Sequence, residues 1–210
     1  SNRDTVSDWV SPLAQGGETN GVLDLPEAGT YFLEVAADSG ERSTQPYTLE
    51  ANFIPAVDNV EPNNTFGKAA PFTLGETIAA NILPRNDTDW YGIEVDHHGE
   101  LSVAVTNVPA ELAIRVRVWN SNRDTVSDWL SPLAVGGETI GTFDLAAAGS
   151  YYLEFVDANS ARSIEPFNIT LSYIAAIDPY DNNDSFGRAG ALTLGQSLPS
   201  NILPRGDSDW

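Results

Sequence analysis

The sequence predicts an all-β protein made of tandem, jelly-roll-like antiparallel β-sandwich modules, and three observations carry that expectation. The chain repeats itself at a fixed offset of 120 residues. Apolar residues alternate with polar ones over many short stretches, as strands with one buried face require. Glycine- and asparagine-containing turns separate those stretches, and no long run has helical periodicity.

The repeat is read directly from the letters. SNRDTVSDW at 1–9 returns unchanged at 121–129, and NILPR at 81–85 returns at 201–205. Across the overlap, 46 of 90 aligned positions are identical, far beyond chance. A period of 120 is too long for a solenoid turn, whose repeats run ~20–50 residues, so each period is one domain. Proline and acidic residues gather near 54–58 and 174–178. These set the expected boundaries: 1–57 as the C-terminal part of a preceding module, 58–175 as a complete module, and 176–210 as the N-terminal part of the next. The stretch 91–120 occurs once, so the two partial modules cannot complete each other. The polypeptide is expected to continue past both ends, in keeping with the absence of methionine.

Within the complete module the strands follow from the alternation. They are expected at 77–82, 90–95, 101–108, 113–119, 125–130, 138–145, 151–156 and 167–173. Residues 114, 116 and 118 fall on one face, and Arg115, Arg117 and Trp119 on the other. Turns are expected at 97–100, 147–149 and 120–124, the last closing a hairpin. Residues 64–70 have room for one or two helical turns at most. About eight short strands of this kind make a sandwich.

Composition bounds the function. Thirty acidic residues against ten basic ones give a net charge of −20. That excludes a nucleic-acid phosphate footprint and disfavours an anionic membrane surface. No apolar run approaches the ~20 residues of a membrane span, and no signal-peptide core is visible. Cysteine is absent, which removes disulfides, thiolate chemistry and Cys-based zinc sites. The favoured partners of so acidic a surface are cations or a basic protein face.

Three motifs then occur in a telling order: Glu61-Pro-Asn-Asn-Thr-Phe, Asn86-Asp-Thr-Asp-Trp-Tyr, and Ala148-Gly-Ser-Tyr-Tyr-Leu-Glu. Together they resemble the bacterial pre-peptidase C-terminal domain family, whose pattern is an E-P-N-D-like start, a D-x-D-W/Y-Y/F step and an A-G-T-Y-Y strand. The resemblance covers the central module and, in pieces, both flanks. It implies a secreted, non-catalytic β-sandwich, found beside proteases and in large surface proteins, of which some bind calcium near the N-terminal segment. Asn64 stands where the family pattern has Asp.

Calcium takes six to eight oxygen ligands from carboxylates and carbonyls. The opening segment offers Asp58, Glu61, Asn63 and Asn64, and the 86–91 step offers Asp87 and Asp89. The next copy repeats the set as Asp178, Asp181, Asn183, Asp184, Asp207 and Asp209. The family resemblance suggests that the two clusters meet in space. The competing reading makes them turn formers and helix caps.

No catalytic constellation accompanies them. Asp87 and Asp89 lie on a loop-to-strand edge without companions. His97 and His98 are neighbours that point oppositely and read as a turn. No nucleophile elbow or phosphate loop is present. The five tryptophans read as packing rather than a ligand platform, and the sequons at Asn63, Asn86, Asn168 and Asn183 as incidental.

Identity between copies concentrates in 1–19 and 81–90 with their partners. Either patchy identity survives from a recent duplication, or these segments make repeated contacts between modules or chains. The expected function is a non-catalytic structural or adhesive repeat of a large extracellular or cell-surface protein. It is read as self-assembling into a filament or stalk with its neighbouring modules and as stiffened by calcium at their junctions. The alternative is a substrate-binding accessory region of a secreted hydrolase or peptidase.

Overall fold

The computed structural model describes residues 7, 9–12, 14–25, 28–55, 60–176, 178, 180 and 183–210. Its eight strands are β1 (Ala70–Pro71), β2 (Thr77–Ala80), β3 (Thr88–Val95), β4 (Gly99–Thr106), β5 (Ile114–Asn120), β6 (Thr139–Leu145), β7 (Gly149–Asp157) and β8 (Phe167–Ala175). They form two four-stranded sheets, ordered β1-β3-β7-β5 and β2-β8-β4-β6. Odd strands lie in one sheet and even strands in the other, so each successive connection crosses the sandwich. All pairings are antiparallel except the short β1–β3 contact, which is parallel.

The period-two pattern becomes the core. Leu101, Val103 and Val105 of β4, Ile114, Val116 and Val118 of β5, and Phe167, Ile169 and Leu171 of β8 are all buried. Tyr91 packs edge-on against Phe72 and Phe155, each ring centroid 5.7 Å away. Each fully buried large side chain contributes about 1.5–3 kcal/mol by leaving water, which explains why alternation alone located most strands.

One expected strand differs. Residues 125–130 pair with the β5 backbone only through isolated bridges, Trp119 with Thr125 and Val116 with Leu130. The backbone bends at 126–127, so the segment clasps the β5 edge without joining the sheet as a regular strand. The 120–124 turn that leads into it is held by Asn120 Oδ1, which accepts from the N–H groups of Asn122 and Asp124, each at 2.9 Å. The helical segment reduces to a single 3-10 turn, Phe66–Lys68. Of the other expected turns, that at 97–100 falls earlier, with the backbone bent at 96–97 and β4 already begun at Gly99, and Gly149 takes φ 145°, a region glycine favours.

Outside the sandwich, the described residues between 7 and 55 form no strand, and large apolar side chains there are open to solvent, Phe32 at 89% and Val22 at 78%. These residues correspond, one period earlier, to β6, β7 and β8. In the central module β6 and β8 pair with β4, and β7 with β3 and β5.

Candidate metal centre

The opening segment and the start of β3 are tied by their backbones. Trp90 N–H donates to Asn63 O at 3.0 Å, and Asn63 N–H donates to Glu61 Oε2 at 3.0 Å. The following 3-10 turn is pinned by Phe66, whose ring lies 4.2 Å from Tyr152 and 5.5 Å from Trp90. Apolar packing on the outer face of the β3–β7 sheet thus fixes where the acidic segment sits.

Asp87 and Asp89 approach from the other side. Asp87 closes the turn before β3: its Oδ2 accepts from Leu83 N–H at 3.1 Å and its Oδ1 from Thr88 N–H at 2.9 Å. Asp89 is fully buried in β3, opposite Phe155 in the register. Glu61, Asp87 and Asp89 each bring one carboxylate oxygen to a common place, all within 4.8 Å of one another. Glu61 is exposed while the two aspartates are buried, so the cluster opens to solvent on the Glu61 side.

Asn63 is fully buried beside this cluster, and both its Oδ1 and Nδ2 find no hydrogen-bond partner among the described residues. A buried amide without partners costs about 1–3 kcal/mol. The three carboxylates form an all-oxygen donor set, and Asn63 adjoins it through its backbone bond to Glu61. That chemistry fits a hard cation such as calcium, with water completing the shell through the open side.

The other expected ligands divide. Asp58 and Asp181 lie outside the described residues. Asn64 and Asp184 are exposed. The next copy reproduces the docking of its segments: Trp210 N–H donates to Asn183 O at 3.2 Å, and Asp207 accepts from Leu203 N–H at 3.1 Å and from Ser208 N–H at 2.7 Å. With its amide nitrogen turned inward, Asn183 donates to Asp209 Oδ1 at 2.9 Å and to Tyr180 O at 3.3 Å. Ser200 Oγ lies within hydrogen-bond reach of both Asp209 and Asp178, with its one proton to give to either. Asp178 also accepts from the N–H groups of Asn201 and Tyr180. These bonds, that from Asn201 foremost, hold the Asp178 carboxyl below the usual range. Asp178 thus holds its turn by backbone N–H bonds, as Asp87 does in the central module. Asp209 is exposed where Asp89 is buried.

Sequence reasoning passed over Asp157. It is nearly buried, and its two oxygens accept from the N–H groups of Ala113, Asn159 and Ala161 at 2.5–2.9 Å. Its only signal was an acid at the end of an alternating strand. The tryptophans also found particular places. Trp129 stacks 4.3 Å from both Arg115 and Arg117, and Arg117 lies equally close to Trp119. Glu154 Oε2 accepts from Arg117 at 2.9 Å and from Trp119 Nε1 at 3.0 Å. Clefts of about 530 and 250 Å³, both lined by Val126, Asp144 and Arg205, lie away from Asp87 and Asp89.

No family model matches the sequence. An ATP-dependent lipid A-core flippase of Dechloromonas aromatica (strain RCB) is 27% identical over 168 residues, covering 73% of this chain and 28% of that protein. The chain thus spans under a third of that relative's length. No helix among the described residues is long and apolar enough to cross a membrane. Among solved structures, the pre-peptidase C-terminal domain of a Bacillus anthracis collagenase is 17% identical, with TM-score 0.41, covering 50% of this chain and 94% of that domain. The periplasmic inhibitor of g-type lysozyme from Aeromonas hydrophila is 11% identical, with TM-score 0.39, covering 50% of this chain and 96% of that protein.

Proposed function

We propose that this chain is a stretch of non-catalytic structural or adhesive repeats from a large extracellular or cell-surface protein, and that each repeat binds calcium where its opening segment meets its β3 step. The modules are read as pre-peptidase C-terminal-like from their three ordered motifs, and the sandwich as jelly-roll-like from its sheet-crossing connections. The observation that carries the reading is the oxygen cluster of Glu61, Asp87 and Asp89 beside the unpartnered amide of Asn63. Residues 61 and 87–89 come from opposite sides of β1 and β2, so a shared cation would tie the module's entry to its sheet.

The mechanism is mechanical. Asp87 holds the 83–87 turn, and Glu61 lies at the entry from the preceding module. A cation between them stiffens the entry and shields the backbone near 54–64 from proteases. The alternative, an accessory domain that binds a hydrolase's substrate, calls for a free aromatic face. Trp119 and Trp129 are instead stacked on arginines.

The test is calorimetric titration of the whole chain with calcium, alongside an Asp87→Ala/Asp89→Ala variant. Saturable binding lost in the variant supports the reading. If chelation changes neither calorimetric signal nor cleavage near 54–64, the acidic clusters are turns and solubilising charge.

A further inference from the structure

Two contacts outside the metal centre repeat with the period of the sequence. Arg85 N–H donates to Asp24 Oδ2 at 3.3 Å, and Arg205 N–H donates to Asp144 Oδ2 at 2.9 Å. Asp24 and Asp144 are 120 residues apart, as are Arg85 and Arg205. In each case the carboxylate belongs to one copy and the amide to the next. Asp144 is the penultimate residue of β6, between buried Phe143 and Leu145, so its position is fixed by the sheet.

The surroundings are those of a seated turn. Pro204 and Arg205 line the larger cleft together with Asn120, Thr125, Val126 and Tyr151. At the earlier contact a second cation joins: Arg162 Nη1 lies 2.9 Å from Asp24 Oδ1 with both side chains mostly covered. Arg85 Nη1 donates to Ser160 O at 2.8 Å, which braces the turn against its own module. Thr125 and Val126, inside the string 121–129 that the copies repeat letter for letter, line the same cleft as Pro204 and Arg205 of the repeated 201–205.

We propose that this pair is a repeating docking joint. The carboxylate at 24 or 144 receives the 84–85 or 204–205 turn of the next module of the same chain, and successive modules stack in one fixed relative orientation. The joint rests on the reading of the chain as repeating modules, and it is independent of the cation. Negative charge dominates the chain, with ten basic residues against thirty acidic ones. A joint that offers a carboxylate a backbone N–H, joined at Asp24 by the Arg162 guanidinium, offsets repulsion that would otherwise hold acidic modules apart.

Amide hydrogen exchange on the full chain, read residue by residue by NMR in both calcium and chelator, tests it. Arg85 and Arg205 have exposed side chains, yet both amides are expected to be protected. Asp144→Ala should speed exchange at Arg205 by about tenfold or more and leave Arg85 protected; Asp24→Ala should do the reverse. The amides of Val103 and Leu171 report that the sandwich is intact, and Asp144→Asn, which keeps an acceptor oxygen, should retain part of the protection. Because the chain has no cysteine, spin labels at Glu111→Cys and Gln196→Cys report the fixed orientation as a narrow distance distribution that broadens with Asp144→Ala. Exchange at Arg205 that ignores Asp144→Ala, or a distribution already as broad without it, overturns the joint. Loss of calcium binding with these results unchanged would overturn only the cation reading.

Discussion

Calcium should raise the melting temperature of this chain by several degrees, and the size follows from the cluster. Glu61, Asp87 and Asp89 hold carboxylate oxygens within 4.8 Å of one another. At an effective dielectric constant of 20, two ionised oxygens at that distance repel by roughly 3.5 kcal/mol. Without a cation, folding must hold the 61 and 87–89 segments together against that repulsion. A ligand that binds only the folded state adds RT ln(1 + [L]/Kd), about 2.7 kcal/mol at a hundredfold excess over Kd. Extracellular calcium modules have Kd values of roughly 0.1–1 mM, so about 10 mM calcium supplies about 1.4–2.7 kcal/mol. For a domain of roughly a hundred residues that corresponds to about 5–12 °C. The assay is thermal unfolding in calcium and in chelator, with sodium chloride matched in ionic strength because salt alone relieves repulsion in a chain of net charge −20. Asp89→Asn should abolish the increment, and magnesium, which demands a tighter octahedral shell, should give much less. Equal melting temperatures in calcium and chelator would refute the reasoning.

Other substitutions probe the frame around the site. Asp157→Ala strands three amides that now share one carboxylate. It should cost about 3–5 kcal/mol in denaturant unfolding; an effect below about 1 kcal/mol would mean that water replaces the carboxylate. Gly99→Ala places a Cβ 2.3 Å from Ile174 O, backbone that cannot step aside, and should destabilise by more than about 2 kcal/mol. Gly141→Ala meets only the tip of Leu130, at 2.8 Å, and should cost less in the same measurement. Tyr173 has its hydroxyl pKa pushed up, chiefly by burial, with the nearby Asp96 charge adding to the effect. A raised folded-state pKa means that its contribution is fully present below about pH 10 and is lost as pH rises through the folded value. Alkaline unfolding followed by tyrosinate absorbance should therefore show less loss with Tyr173→Phe than with the parent chain.

How much was legible follows from the range of each force. Leu101, Val103 and Val105, or Phe167, Ile169 and Leu171, announce a buried face within a few residues, because side chains alternate with period two. The clasp at 125–130 was misread as a strand because Val126 and Leu130 are apolar and partly buried there, yet the bend between them is set by contact with β5. The acidic pairs were visible as candidate ligands because carboxylates and amide oxygens cluster at two places in each copy, although the same residues also serve turns. Asp24 and Asp157 were not visible: each is a single acid whose importance lies in which amides reach it.

The sequence by itself determined the 120-residue repeat, the all-β class, the alternating core and the acidic balance, since each is written in local order and composition. Only the tertiary structure decided that Glu61 comes within ligand distance of Asp87 and Asp89, that Asn63 is buried beside them without a partner, and that Arg85 and Arg205 reach Asp24 and Asp144. Those meetings join residues 24–61 positions apart in sequence, and no periodicity encodes them. They follow from how two twisted sheets pack and where their crossing connections are obliged to run.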